Sequence, residues 1–381
     1  MENIERRQPM KAAGAAGIAL ATSGSANMPV PGNIRAQGTA LRAWPNRRLL
    51  DLLRIEHPII QAPMGLHTSP DMPAAVSGSG GLGSLPCATL TPVQLRDVVG
   101  KIRARTSKPL NLNFFCHITR RDAASEAAWL KRLGSYYTEL GVSPPTFPAS
   151  ALPPFGAEMC DLVVELKPRV VSFHFGLPER SLVDRLKAAG CLIFSSATTV
   201  TEAQWLEDHG VDAIIAQGVE AGGHRGMFLT TEPASQLGTL VLVPQVEDAV
   251  RVPVIAAGGI ADGRAIAAAF ALGASAVQMG TAYLLCPEAI VSPHLRAALK
   301  ARDYFTAVTN VVSGRPARVV VNRIVREVGP IATGVPSSHW AVLRLSPCAR
   351  WQRLKGLRTS PDYMQAKLPH LDEKFQLANL P

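Results

Sequence analysis

Nowhere in these 381 residues do roughly 18 apolar side chains follow one another, the length a membrane-spanning helix needs. The reading is a soluble, cytoplasmic protein with no membrane partner. Cysteine is sparse: Cys87, Cys116, Cys160, Cys191, Cys286 and Cys348 form no CxxC pair and do not cluster with histidine, which argues against a metal site and against a disulfide framework. Charged residues make up 18% and aromatics 6%, yet 47% of the chain is hydrophobic, which sets it apart from disordered proteins. The net charge of +10 sits mainly at the ends. Residues 1–54 hold eight Lys/Arg against three Asp/Glu and residues 331–381 seven against three, which leaves one net positive charge for residues 55–330. No aromatics interleave with a basic stripe, so nucleic acid is set aside as a partner.

The ends read as peripheral. The Ala/Gly-rich run "MKAAGAAGIALATSGSANMPVPGN" places a disordered extension over residues 1–50. Residues 331–381 read as an atypical tail, and the organised domain is expected over residues 51–330.

That middle stretch repeats one pattern, a short apolar run ending in small or polar residues and followed by an Ala/Leu-rich helical segment. The runs are "PIIQAP" (58–63), "GLGSLP" (81–86), "PLNLNFF" (109–115), "RVVSFHFG" (169–176), "CLIFSSATT" (191–199), "DAIIAQG" (212–218), "PVIAAGG" (253–259) and "AVQMGT" (276–281). Eight parallel strands alternating with helices over about 250 residues predict a (β/α)8 TIM barrel, α/β in class, with its chemistry on the loops after the strands. A doubly wound sheet is the alternative. The stretch from Arg121 to Leu166 is a long helical insertion after the third strand.

"GSGGLG", Gly78 to Gly83, matches a dinucleotide fingerprint in letters but lies between a helix and a following strand, the reverse of the required order. It reads as a tight turn. The loops "IAAGGIADG" and "QMGTAYL" follow the seventh and eighth strands, where such barrels hold a phosphate on backbone N–H groups. Gly258, Gly259, Gly280 and the Thr281 hydroxyl are the donors expected there. With no P-loop and no kinase signature, the phosphate is that of a bound cofactor. After the sixth strand comes "QGVEAGGHRG", four glycines and a titratable imidazole, His224, on the expected catalytic face.

Together "HPIIQAPM", "SGGLGSL", "LNFF", "VVSFHFGLP", "QGVEAGGHRG", "PVIAAGGIADGRAIAAAFALGASAVQMGT" and "SGRPARVVVNRIVRE" resemble the nitronate monooxygenase family, formerly the 2-nitropropane dioxygenases. The resemblance implies an FMN-dependent barrel that oxidises alkyl nitronates or nitroalkanes, propionate 3-nitronate among them, with O2 to a carbonyl compound and nitrite, a detoxification role. It implies flavin contacts at Ala62, Pro63, Met64, Asn113, Gln217, Gly222, Gly223 and Gly259 and a phosphate turn at Gln278, Met279, Gly280 and Thr281. His224 matches the catalytic base. His174 and His117 also end strands on that face and are candidates for the substrate pocket, while Glu220 is expected to hold the loop. A homodimer is left open. Two alternatives stand beside this reading: an FMN-dependent, NAD(P)H-using enoyl-[acyl-carrier-protein] reductase, which shares the EAGGH and AAGGIADGR stretches, and a flavin-binding barrel impaired by its tail.

Overall fold

Apolar runs buried on both faces form parallel strands, because only a sheet covered on both sides hides them. In the computed structural model, which describes residues 44–117, 122–141, 143, 154–301 and 304–336, these runs become β1 (Ile59–Gln61), β2 (Gly83–Pro86), β3 (Leu110–Phe115), β4 (Val170–His174), β5 (Leu192–Ala197) and β6 (Ala213–Gln217). A two-residue β7 (Gly223–His224) follows, then β8 (Val254–Ala257), β9 (Ala276–Met279), β10 (Thr306–Thr309) and β11 (Ala317–Val320). All eight expected strands are present at their expected places.

They pair in parallel in the order β1-β9-β8-β6-β5-β4-β3-β2, and a parallel bridge between Ile60 and Leu82 joins the two outer strands. Its bonds run from Gln61 N–H to Leu82 O and from Leu82 N–H to Ile59 O, each 3.0 Å. The result is a (β/α)8 barrel, with Leu112, Val171, Phe173, Ile193, Ile214 and Val254 in one continuous core. The surrounding helices start where the sequence signals them: Thr91 and Gln94 form a capping box ahead of Pro92–Arg103, and Asp262 caps Gly263–Ala271. The "GSGGLG" stretch joins the helix Asp71–Gly78 to β2, and a Cβ on Gly83 would stand 2.1 Å from Pro73 O. Helix-to-strand packing alone requires that glycine.

Two findings depart from expectation. The ordered unit begins before residue 51, because the helix Arg48–Leu53 buries Leu49 and Leu50; the rest of the expected extension, to residue 43, lies outside the described residues, as does the tail from residue 337. The chain divides into units Met1–Trp44 and Pro45–Pro381, and of the first only Trp44 is described. A second, antiparallel sheet, β10-β11-β7, also went unforeseen: it pairs Ala317 with His224 and Arg318 with Gly223. Beneath it lies a separate small core, in which Trp129, Leu133 and Tyr137 of the insertion pack with Val311, Ile324 and Val325. The described helices of the insertion are Ala123–Arg132, Gly134–Leu140 and Ala157–Leu166. No helix among the described residues is long and apolar enough to cross a membrane.

Candidate active site at the mouth of the barrel

The loop after β6 is fastened from every side. Gln217 uses both ends of its amide on the loop's own backbone, accepting from Gly226 N–H at 2.8 Å and donating to His224 O at 3.0 Å. Arg225, fully buried, donates to Gly218 O (2.8 Å), Gln217 O (2.6 Å) and Gln236 Oε1 (3.0 Å). Burial, with Arg318 nearby, lowers that guanidinium to about 10. Arg318 itself donates to Val219 O at 2.7 Å. The Glu220 carboxylate accepts from Thr239 N–H and Oγ1–H at the start of the helix Thr239–Ala249, so it holds the loop. With its carbonyls and amides spent in this way, the segment is a rigid platform.

On that platform His224 meets a cluster drawn from four other places. The His224 carbonyl also accepts from His174 Nε2 at 3.2 Å. A carbonyl only accepts, so His174 carries its proton on Nε2, and its Nδ1 takes the Ser196 hydroxyl at 3.0 Å. The His224 Nε2 lies 2.8 Å from Ser313 Oγ, and Ser313 donates in turn to Arg315 O at 3.2 Å. That chain makes His224 Nε2 the donor and leaves the lone pair on Nδ1. Aromatic walls complete the cluster: Phe175 lies 4.9 Å from His117, 4.6 Å from His174 and 5.9 Å from His224 between ring centroids, and the Arg315 guanidinium stands 5.0 Å from its ring. Phe175 has φ +68°, a left-handed backbone that L-residues avoid and that collects at functional sites.

Burial drives the three imidazoles toward neutrality. It lowers His224 to about 4, with Arg315 adding repulsion, and His117 to about 3, with Arg315 and His224 adding to it. His174 falls to about 3 through burial first and then His224. All three are neutral at physiological pH.

The expected cofactor residues gather on one rim. Ala62 N–H donates to Met279 O at 2.7 Å, which ties the end of β1 to β9. The place a Gly280 Cβ would occupy is 3.5 Å from Ala62 Cβ and 3.8 Å from Met64 Sδ, and that of Gly222 is 3.8 Å from Thr281 Oγ1. Pro63 lies half-buried between Ala62 and Met64, and Gly222, Gly223, Gly259 and Thr281 are exposed. The buried Gln278 Oε1 has no hydrogen-bond partner. Two expected contacts are turned inward: Asn113 donates to Ser172 Oγ at 2.9 Å, and Gln217 is spent on its loop as above. Gly258, with φ +122°, packs against Thr239, its Cβ position 2.8 Å from Thr239 Oγ1. Packing alone explains that glycine. Sequence reading did not single out Ser196, Arg225, Ser313, Arg315 or Phe175. Ser313 is 89 residues from the imidazole it touches, and no local spacing signals such a pair.

A closed (β/α)8 barrel with a pinned histidine loop and a glycine-lined rim at its strand ends is the architecture of a small-molecule barrel enzyme. The family profile described as nitronate monooxygenase matches residues 46–359. A nitronate monooxygenase of Paraburkholderia phytofirmans is 46% identical over 283 residues, covering 72% of this chain and 76% of its own. Among solved structures, nitroalkane oxidase from Streptomyces ansochromogenes superposes with a TM-score of 0.71 at 35% identity, over 79% of this chain and 85% of that one. FabK from Thermotoga maritima gives 0.56 at 34%, over 74% and 76%. The chain belongs to the nitronate monooxygenase family, and it is an oxidoreductase of that family.

Proposed function

We propose that this chain is an FMN-dependent enzyme that oxidises alkyl nitronates, with propionate 3-nitronate as the type substrate, by O2 to a carbonyl compound and nitrite, and that it serves detoxification in the cytoplasm. The observation that carries the reading is His224, a neutral imidazole held at the barrel mouth against Phe175 and beside the glycine-lined rim. The rim residues fit a flavin: among the described residues, chain neighbours aside, nothing lies closer than 3.8 Å to the Cβ positions of Gly222 and Gly223, and the orphan Gln278 Oε1 offers an acceptor. Ala62–Met64, Gly222, Gly223, Gly259 and Gln278–Thr281 would hold it. Bound FMN would supply the electron-transfer chemistry that these side chains lack.

The chain's own residues do the rest. His224 takes or holds a proton at Nδ1 while Ser313 fixes the ring through Nε2. His174, its Nε2–H committed to the loop carbonyl, positions His224. Phe115, Phe175 and His117 wall the cluster with apolar and neutral surface, which keeps water away from the reacting carbon.

The test uses purified, FMN-loaded protein: oxygen uptake and nitrite release with propionate 3-nitronate, beside anaerobic mixing with NADPH. Nitrite formation without bleaching of the flavin by NADPH supports the reading. Rapid bleaching with no nitrite overturns it in favour of an enoyl reductase.

A further inference from the structure

Two arginines meet at the histidine loop, Arg225 from within it and Arg315 from the β10–β11 turn, and the fold treats them in opposite ways. Arg225 has all three of its guanidinium nitrogens bonded to protein oxygens. Arg315, half-buried on the turn that carries Ser313, holds no carbonyl and no carboxylate among the described residues, and its Nε is buried without a hydrogen-bond partner. Its guanidinium lies instead on the face of Phe175, at 5.0 Å. On the same ring, 4.9 Å away, lies His117, only 6% exposed and with neither ring nitrogen bonded. Unsatisfied buried donors beside an uncompensated positive charge are costly in a folded protein unless a ligand completes them.

We propose that Arg315, stacked on Phe175 with His117 on the same ring, is the specificity-determining residue of this site: its guanidinium receives a planar two-oxygen anion of the substrate. Nitronate and carboxylate groups share that shape, and the two-pronged guanidinium matches it where an ammonium does not. The proposal rests on the nitronate reading above for the identity of the substrate, but the anion site stands on its own geometry.

The experiment compares wild type, Arg315→Gln and Arg315→Lys, each FMN-loaded and checked by thermal midpoint. Calorimetry gives the affinity for propionate and nitrate, planar oxyanions that cannot react. Steady-state assays give KM for propyl nitronate and for propionate 3-nitronate. Arg315→Gln should weaken both oxyanions and raise KM for the nitronates about tenfold or more, because it removes a charge-assisted hydrogen bond, with partial recovery in Arg315→Lys. A KM rise confined to propionate 3-nitronate, with propyl nitronate unmoved, assigns the interaction to the carboxylate; a rise for both assigns it to the nitronate oxygens. Oxyanion affinities and KM values within about twofold of wild type overturn the proposal. If Arg315→Gln does not fold, Arg315→Lys decides, because a lysine cannot make the two-pronged interaction and unchanged affinity sinks the idea. Wild-type protein that yields no nitrite yet binds propionate through Arg315 refutes the nitronate reading and leaves the anion site intact.

Discussion

His224 is placed to handle a proton but tuned to handle it weakly. A general base works best when its pKa lies near the operating pH, and burial with Arg315 nearby holds this ring at about 4. A preformed nitronate needs no deprotonation, whereas a neutral nitroalkane does. His224→Asn is therefore expected to lower turnover of neutral nitroalkane by about 10² to 10⁴, and of preformed nitronate far less, as read by nitrite release. Equal losses on the two would show that the ring acts in binding. The sign of the shift also sets a pH dependence. With the ring held down at about 4, this group is expected to impose no acid limb on turnover between about pH 8 and 5, as a pH profile of nitrite release would read. Burial holds it there first, and repulsion from Arg315 on the β10–β11 turn adds to it.

Among the elements, the loop from Gln217 to Gly226 matters most, and its tolerance is narrow. It passes so close to β4 and β5 that a Cβ on Gly226 would stand 2.9 Å from both His174 Cε1 and Ser196 Cβ. Gly226→Ala must push His174 off the His224 carbonyl or move the loop. The expected cost is about 1–3 kcal/mol of stability, measured by denaturant unfolding, together with a loss of activity. Unchanged stability and turnover would mean that the loop has slack its hydrogen bonds do not suggest. The small sheet contributes from the other side: β11 pairs with β7, and its turn delivers Ser313 and Arg315 to the cluster.

Across the whole molecule, three neutral imidazoles, buried His117 and half-buried His174 and His224, share one barrel mouth. Each has its folded pKa below the ordinary value near 6.5, so below that pH the unfolded chain binds protons that the native protein refuses. Stability should hold steady above about pH 7 and fall as the pH drops from about 6.5 toward 4. Thermal midpoints across that range check this, and His117→Gln should flatten the slope. An unchanged midpoint down to about pH 4 would mean that the cluster opens to water well before the fold fails. The barrel closes through the Ile60–Leu82 bridge, and the insertion's helices Ala123–Arg132 and Gly134–Leu140 stand beneath the small sheet in a second core, so elements distant in sequence support the same mouth.

The eight strands, their order and the strand-end face where the candidate site lies were legible in the sequence, because burial on both faces writes itself into continuous apolar runs such as "DAIIAQG" and the loops between them are local. The glycine-rich rim and His224 were visible for the same reason, being one short segment each. The tertiary structure alone decided that Gln217 and Asn113 turn toward protein, that His174 spends its proton on a backbone carbonyl, and that Ser313 and Arg315 return to His224 from another sheet. Those outcomes depend on closure of distant segments and on desolvation, which are set by separations in space and leave no period in the chain.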